Sequence, residues 1–506
     1  MTWREKFHPL VESTKQVVSK ARAGAREEQG PLAIALAGGG ARASFQIGAL
    51  AYLYDYEEVV PDIFTGTSAG AILASVLAQY SDPEGQRDAL RKVEAIWSNM
   101  HSSSDMFEEL AWFSKLRTHL PTWMKVVSLR QESHRRSLTQ SIQAAFSDMF
   151  GKKEETQVAA STEVKAVSPI ESLTTLWEGA RATTDLQQII RGFGSEASAF
   201  RPGPVVQELL APEVFDPLRL AASSTTLRIS VVGLESGKLR YVTARGELHD
   251  ATDQPLELPA VDFVDAITAS CAIPGVFPPV ELASEHYVDG GIRANLPTDI
   301  AYTLGAGRVI AIVSGAEGPS AVESFTGGDL LEIIMRSSAG IMPDELENLQ
   351  IRLARAQGAI VIDPVIDVHD TLTVDPGLIA IATDYGWMRA QDIMTGADDQ
   401  TQQLTHDIID MRRHLWALED RLFAPVTEAP ELLEENPAGD LEQLGELKLH
   451  LRSLLERVPA DYLPEGAEAW WQTWEKHPYS IDETPTWLSQ ASASWRSSAE
   501  ACTRRA

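Results

Sequence analysis

Apolar residues run unbroken through Leu32-Ala33-Ile34-Ala35-Leu36. Such a run predicts a buried strand over 31–37. The period then changes. Over 43–57, Phe45, Gly48, Ala49, Tyr52 and Leu53 fall on one face of a predicted helix. Residues 59–64 predict a second short strand. Residues 69–80 are small and apolar, as in a helix packed close against a sheet. The order strand, helix, strand, helix predicts an α/β fold with a parallel sheet.

Residues 85–149 are helical in pattern and rich in charge, and 151–170 are polar without a firm period, which reads as a mobile loop or linker. Residues 227–233 predict a buried strand, with 238–244 as its hairpin partner across 235–237. Two more apolar runs, 306–313 and 359–363, add candidate strands. After about residue 396 the pattern turns helical. It is interrupted by 425–447, which holds seven acidic residues and no basic one, as a solvated linker or exposed helix would. Trp470, Trp471, Trp474, Trp487 and Trp495 crowd the last segment. They suit anchors of a helical appendage, or else contacts to lipid or a partner protein. At the other end, 3–22 fits an amphipathic helix with Trp3, Phe7, Leu10 and Val11 on one side. It would pack on its own domain or rest on a membrane surface. No internal repeat is visible.

Composition narrows the function. The 506 residues carry a net charge of −29, which leaves no basic surplus for nucleic acid and disfavours simple electrostatic docking on an anionic membrane. Two cysteines, Cys271 and Cys502, are too few for a disulfide framework or a cysteine-based metal site. The first residues lack the apolar core of a secretory signal, and no apolar run reaches the roughly 18 residues of a membrane span. The expectation is a cytoplasmic protein compatible with transient peripheral membrane contact, without metal or cofactor.

The strand over 31–37 ends in Gly38-Gly39-Gly40-Ala41-Arg42. A glycine run between strand and helix brings backbone N–H groups towards a negative charge. One source of that charge is a dinucleotide, since Gly38 to Ala43 formally fits G-x-G-x-x-G/A, with Asp55 or Asp62 as a ribose-binding acid. Another is an oxyanion. Gly66-Thr67-Ser68-Ala69-Gly70 is a G-x-S-x-G motif at a predicted strand-to-helix junction, where flanking glycines allow a sharp turn and expose the serine. The N–H groups of Gly38 to Ala41 would then face the oxyanion formed when Ser68 attacks an ester.

An activated serine needs a proton acceptor. None of the eleven histidines has a context that recommends it; His286 comes nearest, in Glu285-His286-Tyr287-Val288-Asp289-Gly290-Gly291. Asp289 ends an apolar strand before two glycines, which suits either an uncovered carboxylate or an ordinary Asp-Gly turn.

Taken in order, Gly38 to Arg42, Gly66 to Gly70 and Asp289-Gly290-Gly291 resemble the patatin-like phospholipase family. The stretch 269–279 before the aspartate and Asn295-Leu296-Pro297 after it fit as well. Ala43 departs from the glycine often found there. The resemblance implies a three-layer α/β fold with a mainly parallel central sheet flanked by helices. It would cover 31–395, with an insert around 85–220, between an N-terminal helical segment (1–30) and a helical, acidic, Trp-rich extension (396–506). It implies a lipid acyl hydrolase with a serine-aspartate dyad. Ser68 would be the nucleophile and Asp289 the general base; Gly38, Gly39, Gly40, Ala41 and Arg42 would form the oxyanion hole. Gly66 and Gly70 would shape the elbow, and Gly290 and Gly291 would support the Asp289 turn. The substrate would be a lipid or related ester, with a catalytically inactive lipid-binding or scaffold protein as the alternative.

Overall fold

The structure is a computed structural model that describes residues 30–114, 198–318, 325, 333, 336–423, 437–467 and 470. Its centre is a mixed sheet. Strands β1 (Leu32–Leu36), β2 (Ile63–Gly66), β5 (Thr226–Gly233), β10 (Arg308–Ile312) and β11 (Ile360–Ile362) run parallel in the order β11-β10-β1-β2-β5. The sheet continues antiparallel through β6 (Leu239–Thr243) and β7 (Leu248–His249). The end of β5 also pairs with β9 (Glu285–Asp289), which carries β8 (Val280–Leu282) on its far side. A separate ribbon joins β3 (Phe107–Glu109) to β4 (Phe200–Pro202).

The alternation along β1 explains the layers. Leu32, Ile34 and Leu36 face one core, while Ala33 and Ala35 face the other. The larger side chains pack beneath α1 (Ala43–Asp55), α2 (Ala69–Ala78) and α6 (Pro376–Thr395). The alanines let the short helix Thr298–Thr303 lie close on the opposite face, where Ile351 and Ala354 of α5 (Met342–Ala356) complete the same cluster. Between α2 and α5 in chain order come α3 (Pro83–Ser98) and α4 (Phe263–Ser270), the latter packed against β5, β8 and β9. Helices α1 and α6 approach through glycine. A Cβ on Gly48 would lie 1.8 Å from Thr383 O, and one on Gly386 1.9 Å from Phe45 O.

Beyond α6, Gly396 ends the helix in the left-handed conformation, and α7 (Asp399–Phe423) and α8 (Pro437–Leu455) follow. Part of the acidic 425–447 stretch is thus helical. Two ionic contacts, one buried and one half-buried, fasten these helices. Lys448 Nζ lies 2.5 Å from Glu419 Oε1. The Arg412 guanidinium pairs with Asp384 of α6 at 2.7 Å and sits 3.6 Å over the Trp470 ring. The other four late tryptophans, the helix expected over 3–22 and the 151–170 loop lie outside the described residues. So does most of the insert around 85–220.

Two boundaries differ from expectation. The second strand starts at Ile63 rather than 59, because Pro61 has no N–H for a ladder. Asp62 instead turns its carboxylate to the Leu32 N–H at 3.0 Å. The helical pattern from 85 breaks at Ser98 and gives way to β3. Among the described residues no helix is long and apolar enough to cross a membrane.

Candidate active site

The elbow after β2 is strained. Ser68 has φ 56°, ψ −127°, a region that a residue with a side chain enters only when its surroundings impose it. Those surroundings are identifiable. A Cβ on Gly70 would lie 2.5 Å from Leu36 O, and one on Gly66 2.4 Å from Gly70 O, so helix α2 can press against β1 and β2 only with glycine at both positions. The Ser68 N–H donates to Ser270 Oγ at 3.0 Å, and Ser270 Oγ–H donates to Ser230 O at 2.8 Å. Thr67 Oγ1–H donates to Ala294 O at 2.8 Å. Helix α2 starts directly after the serine and turns its positive end towards it.

Asp289 arrives from a different part of the chain. Register on β5 sets it opposite Val231, and its N–H donates to Ala272 O at 3.0 Å. Its Oδ1 accepts the Gly291 N–H at 2.7 Å. Gly290 packs on Ser230, where a Cβ would lie 2.0 Å from Oγ. The Ser68 hydroxyl lies near enough to the carboxylate to favour its charged form. Both side chains are only 5% exposed. Burial pushes the Asp289 pKa up to about 6, with the hydrogen bonds from Ser68 and Gly291 pulling the other way. The same burial, together with the Asp289 charge, pushes the neighbouring Cys271 thiol well up. His286 points elsewhere, exposed and paired with Glu235 at 2.7 Å. Among the described residues no histidine hydrogen-bonds Ser68 or Asp289.

The glycine run lies beside this pair. A Cβ on Gly38 would come 3.1 Å from Ser68 Cβ. Not every N–H in the run is available, however. The Gly38 N–H donates to Asn295 O at 3.2 Å, the Ala41 N–H to Thr371 O at 3.0 Å, and the Arg42 N–H back to Gly39 O at 3.1 Å. The N–H groups of Gly39 and Gly40 remain uncommitted among the described residues, and Gly39 alone in 38–41 is partly exposed. Gly40 holds φ 55°, which favours glycine, with Thr371 O just 2.5 Å from where a Cβ would sit.

The Arg42 guanidinium turns to Asp367 at 3.3 Å and lies against Gly315. With Phe45, His369 and Tyr385 it closes a small cavity that does not include Ser68. The two acids offered for a nucleotide ribose are engaged structurally. Asp55 pairs with Arg87, and Asp62 sits at the start of β1, the opposite end of the sheet from the glycines. A dinucleotide spanning Gly38 and either acid does not fit.

The sequence match agrees with this geometry. The family model for patatin-like phospholipase matches residues 34–302, more than half of the chain. The chain belongs to the patatin-like phospholipase family. Patatin-like proteins are lipid acyl hydrolases, and the matched region contains both Ser68 and Asp289. Among solved structures the chain is similar to VipD from Legionella pneumophila, at 13% identity over 90% of this chain and 92% of that one, with a TM-score of 0.30. It is also similar to ExoU in its heterodimeric complex with SpcU from the type III secretion system of Pseudomonas aeruginosa. There the identity is 16% over 87% of this chain and 68% of that one, and the TM-score is 0.26. Both scores lie below 0.5, so membership of the patatin-like family rests on the sequence match. No curated protein matches the chain in sequence.

Several residues at this patatin-like site had no role in the sequence reading. Ser270, Ser230 and Thr67 brace the elbow, and Asn295, Ser314 and Glu347 surround Gly38. Ser270 and Asn295 fall inside stretches that already carried the family resemblance. Ser314 and Glu347 follow the matched region and had no local signal.

Proposed function

We propose that this protein is a lipid acyl hydrolase of the phospholipase A type, working through a serine-aspartate dyad. The observation that carries the reading is Ser68 at a strained elbow beside a buried Asp289 carboxylate, with its hydroxyl near enough to pull that carboxyl's pKa down. Ser68 Oγ attacks the ester carbonyl as Asp289 takes its proton. Burial makes this carboxylate a better base than one in water, and general-base help is worth roughly 10²–10⁴-fold. The developing oxyanion is stabilised by backbone N–H groups. With Gly38 and Ala41 committed, Gly39 and Gly40 are the donors. Arg42 contributes by pinning the loop to Asp367. The tetrahedral intermediate collapses, the alcohol or lysolipid leaves with the proton from Asp289, and an acyl-enzyme on Ser68 remains. Water, deprotonated by Asp289, then releases the fatty acid and restores Ser68. The substrate is a lipid ester met during transient contact with a membrane surface.

The test is covalent labelling with a fluorophosphonate, read by intact mass on the wild type, Ser68→Ala and Asp289→Asn. The expected result is one adduct on the wild type, none on Ser68→Ala and a strongly slowed reaction for Asp289→Asn. A folded wild type that takes no adduct and hydrolyses no ester would favour a non-catalytic lipid-binding protein. An adduct on Ser68→Ala would identify a different nucleophile.

A further inference from the structure

The Gly38–Gly39 peptide lies between two glycines and has no side chain of its own to hold it. Such a peptide flips readily unless its surroundings fix it. Here its carbonyl is gripped. Gly38 O accepts the Ser314 hydroxyl at 2.6 Å and the Asn295 Nδ2 amide at 3.4 Å. Asn295 is held in turn, because the same Nδ2 group donates to Glu347 Oε1 at 2.7 Å. Ser314 is 3% exposed, two residues past β10, and Glu347 is 8% exposed on the inner face of α5. The contact with Ser314 also accounts for glycine at 39, where a Cβ would lie 1.9 Å from Ser314 Oγ. Glycine there admits the serine, whatever it does for the substrate.

A trans peptide is planar, so its C=O and the following N–H point in opposite directions. Tying Gly38 O down to Ser314 on one side therefore turns the Gly39 N–H to the other. We infer that Ser314 is a positioning residue: by holding the Gly38 carbonyl it aims the Gly39 N–H at the oxyanion formed on Ser68, with Asn295 and Glu347 as the second tie on the same peptide. This rests on the reading of Ser68 as nucleophile. The two ties come from Ser314, just after β10, and from Asn295, itself held by α5, so the orientation does not depend on the glycine run itself. Preorganised donors of this kind cost no reorganisation at the moment of reaction.

The 506-residue chain is assayed on a soluble short-chain ester, with an alkyl trifluoromethyl ketone as transition-state mimic, since its serine adduct carries the same oxyanion. Ser314→Ala is expected to lower kcat by about tenfold, a fraction of the roughly 10²–10³ that losing a whole donor costs. KM should stay within about twofold, and affinity for the ketone should fall by the same factor as kcat. Thermal melting is followed alongside. A folded Ser314→Ala protein with wild-type kcat and ketone affinity overturns the inference. If Ser314→Ala does not fold, Glu347→Met and Glu347→Gln probe the other tie. Glutamine keeps an acceptor for Asn295 and should retain kcat, whereas methionine removes it and should lose kcat and ketone affinity together. Equal behaviour of the two overturns the inference. Ser68→Ala run in parallel separates the two levels. Hydrolysis that survives in Ser68→Ala removes the nucleophile and the inference with it. An inactive Ser68→Ala beside a fully active Ser314→Ala removes the inference alone.

Discussion

Ser68 and Asp289 meet along one edge of β5, the edge opposite the one that β6 occupies. Ser68 follows β2, which runs parallel to β5, and Asp289 ends β9, which runs antiparallel to it. The pair therefore depends on the sheet keeping its register at that strand. It is also buried, and burial makes the carboxylate reluctant to ionise.

That reluctance should appear in the rate. As the proposed base, Asp289 would act only when ionised, and its pKa is pushed up to about 6. kcat/KM for a soluble ester should rise with pH through an inflection near about 6 and level off above it. Rates across about pH 4.5–8 check this; a flat profile would be incompatible with Asp289 as the base.

The same group should cost stability. Folded Asp289 keeps its proton up to about pH 6, while in an unfolded chain it would lose it near about 3.9. Between those values the folded state binds more protons, so its stability falls as pH rises. The loss approaches about 3 kcal/mol above pH 6, as an upper estimate. Asp289→Asn removes this term. Urea midpoints should be similar for the two proteins near about pH 4, with the variant higher near about pH 7.5. A variant that is less stable at both pH values would show that the Gly291 and Ser68 hydrogen bonds outweigh the desolvation.

Gly70 tests the elbow. A methyl there meets Leu36 O at 2.5 Å and Ala37 O at 2.6 Å, both backbone atoms that cannot step aside. Gly70→Ala should cost about 1–3 kcal/mol, the usual penalty of overpacking. It should also shift Ser68 enough to lower fluorophosphonate labelling. Chemical denaturation and labelling rate measured on one preparation would check both.

Arg412 tests the join between the patatin-like body and the C-terminal helices. Its guanidinium is 1% exposed, paired to Asp384 and stacked on Trp470. Arg412→Ala leaves the Asp384 charge and the Trp470 ring without this partner and should cost roughly 3 kcal/mol. Arg412→Met with Asp384→Leu should recover much of that in the same melt, since a well-packed apolar pair avoids the desolvation cost.

Local pattern was enough for part of this. The apolar run into the glycines, the G-x-S-x-G turn and the hairpin of β5 and β6 each occupy a short stretch whose period and turn residues specify its shape. Asp289 before two glycines was readable as a candidate in the same way, and the motif order identified the family. Other features depend on contacts between residues far apart in sequence. Nothing near Gly38 announces that its N–H belongs to Asn295 or its carbonyl to Ser314. The long helix α6 against α1 likewise had no local sign, because glycines at 48 and 386 matter only once the two helices meet. Sequence by itself determined the elements, the nucleophile candidate and the acid. Tertiary structure decided which backbone donors stay free, where Arg42 turns and how far Asp289 is desolvated. The physical reason is that secondary structure and turns follow from neighbouring residues, whereas hydrogen-bond commitment and burial are properties of packed space.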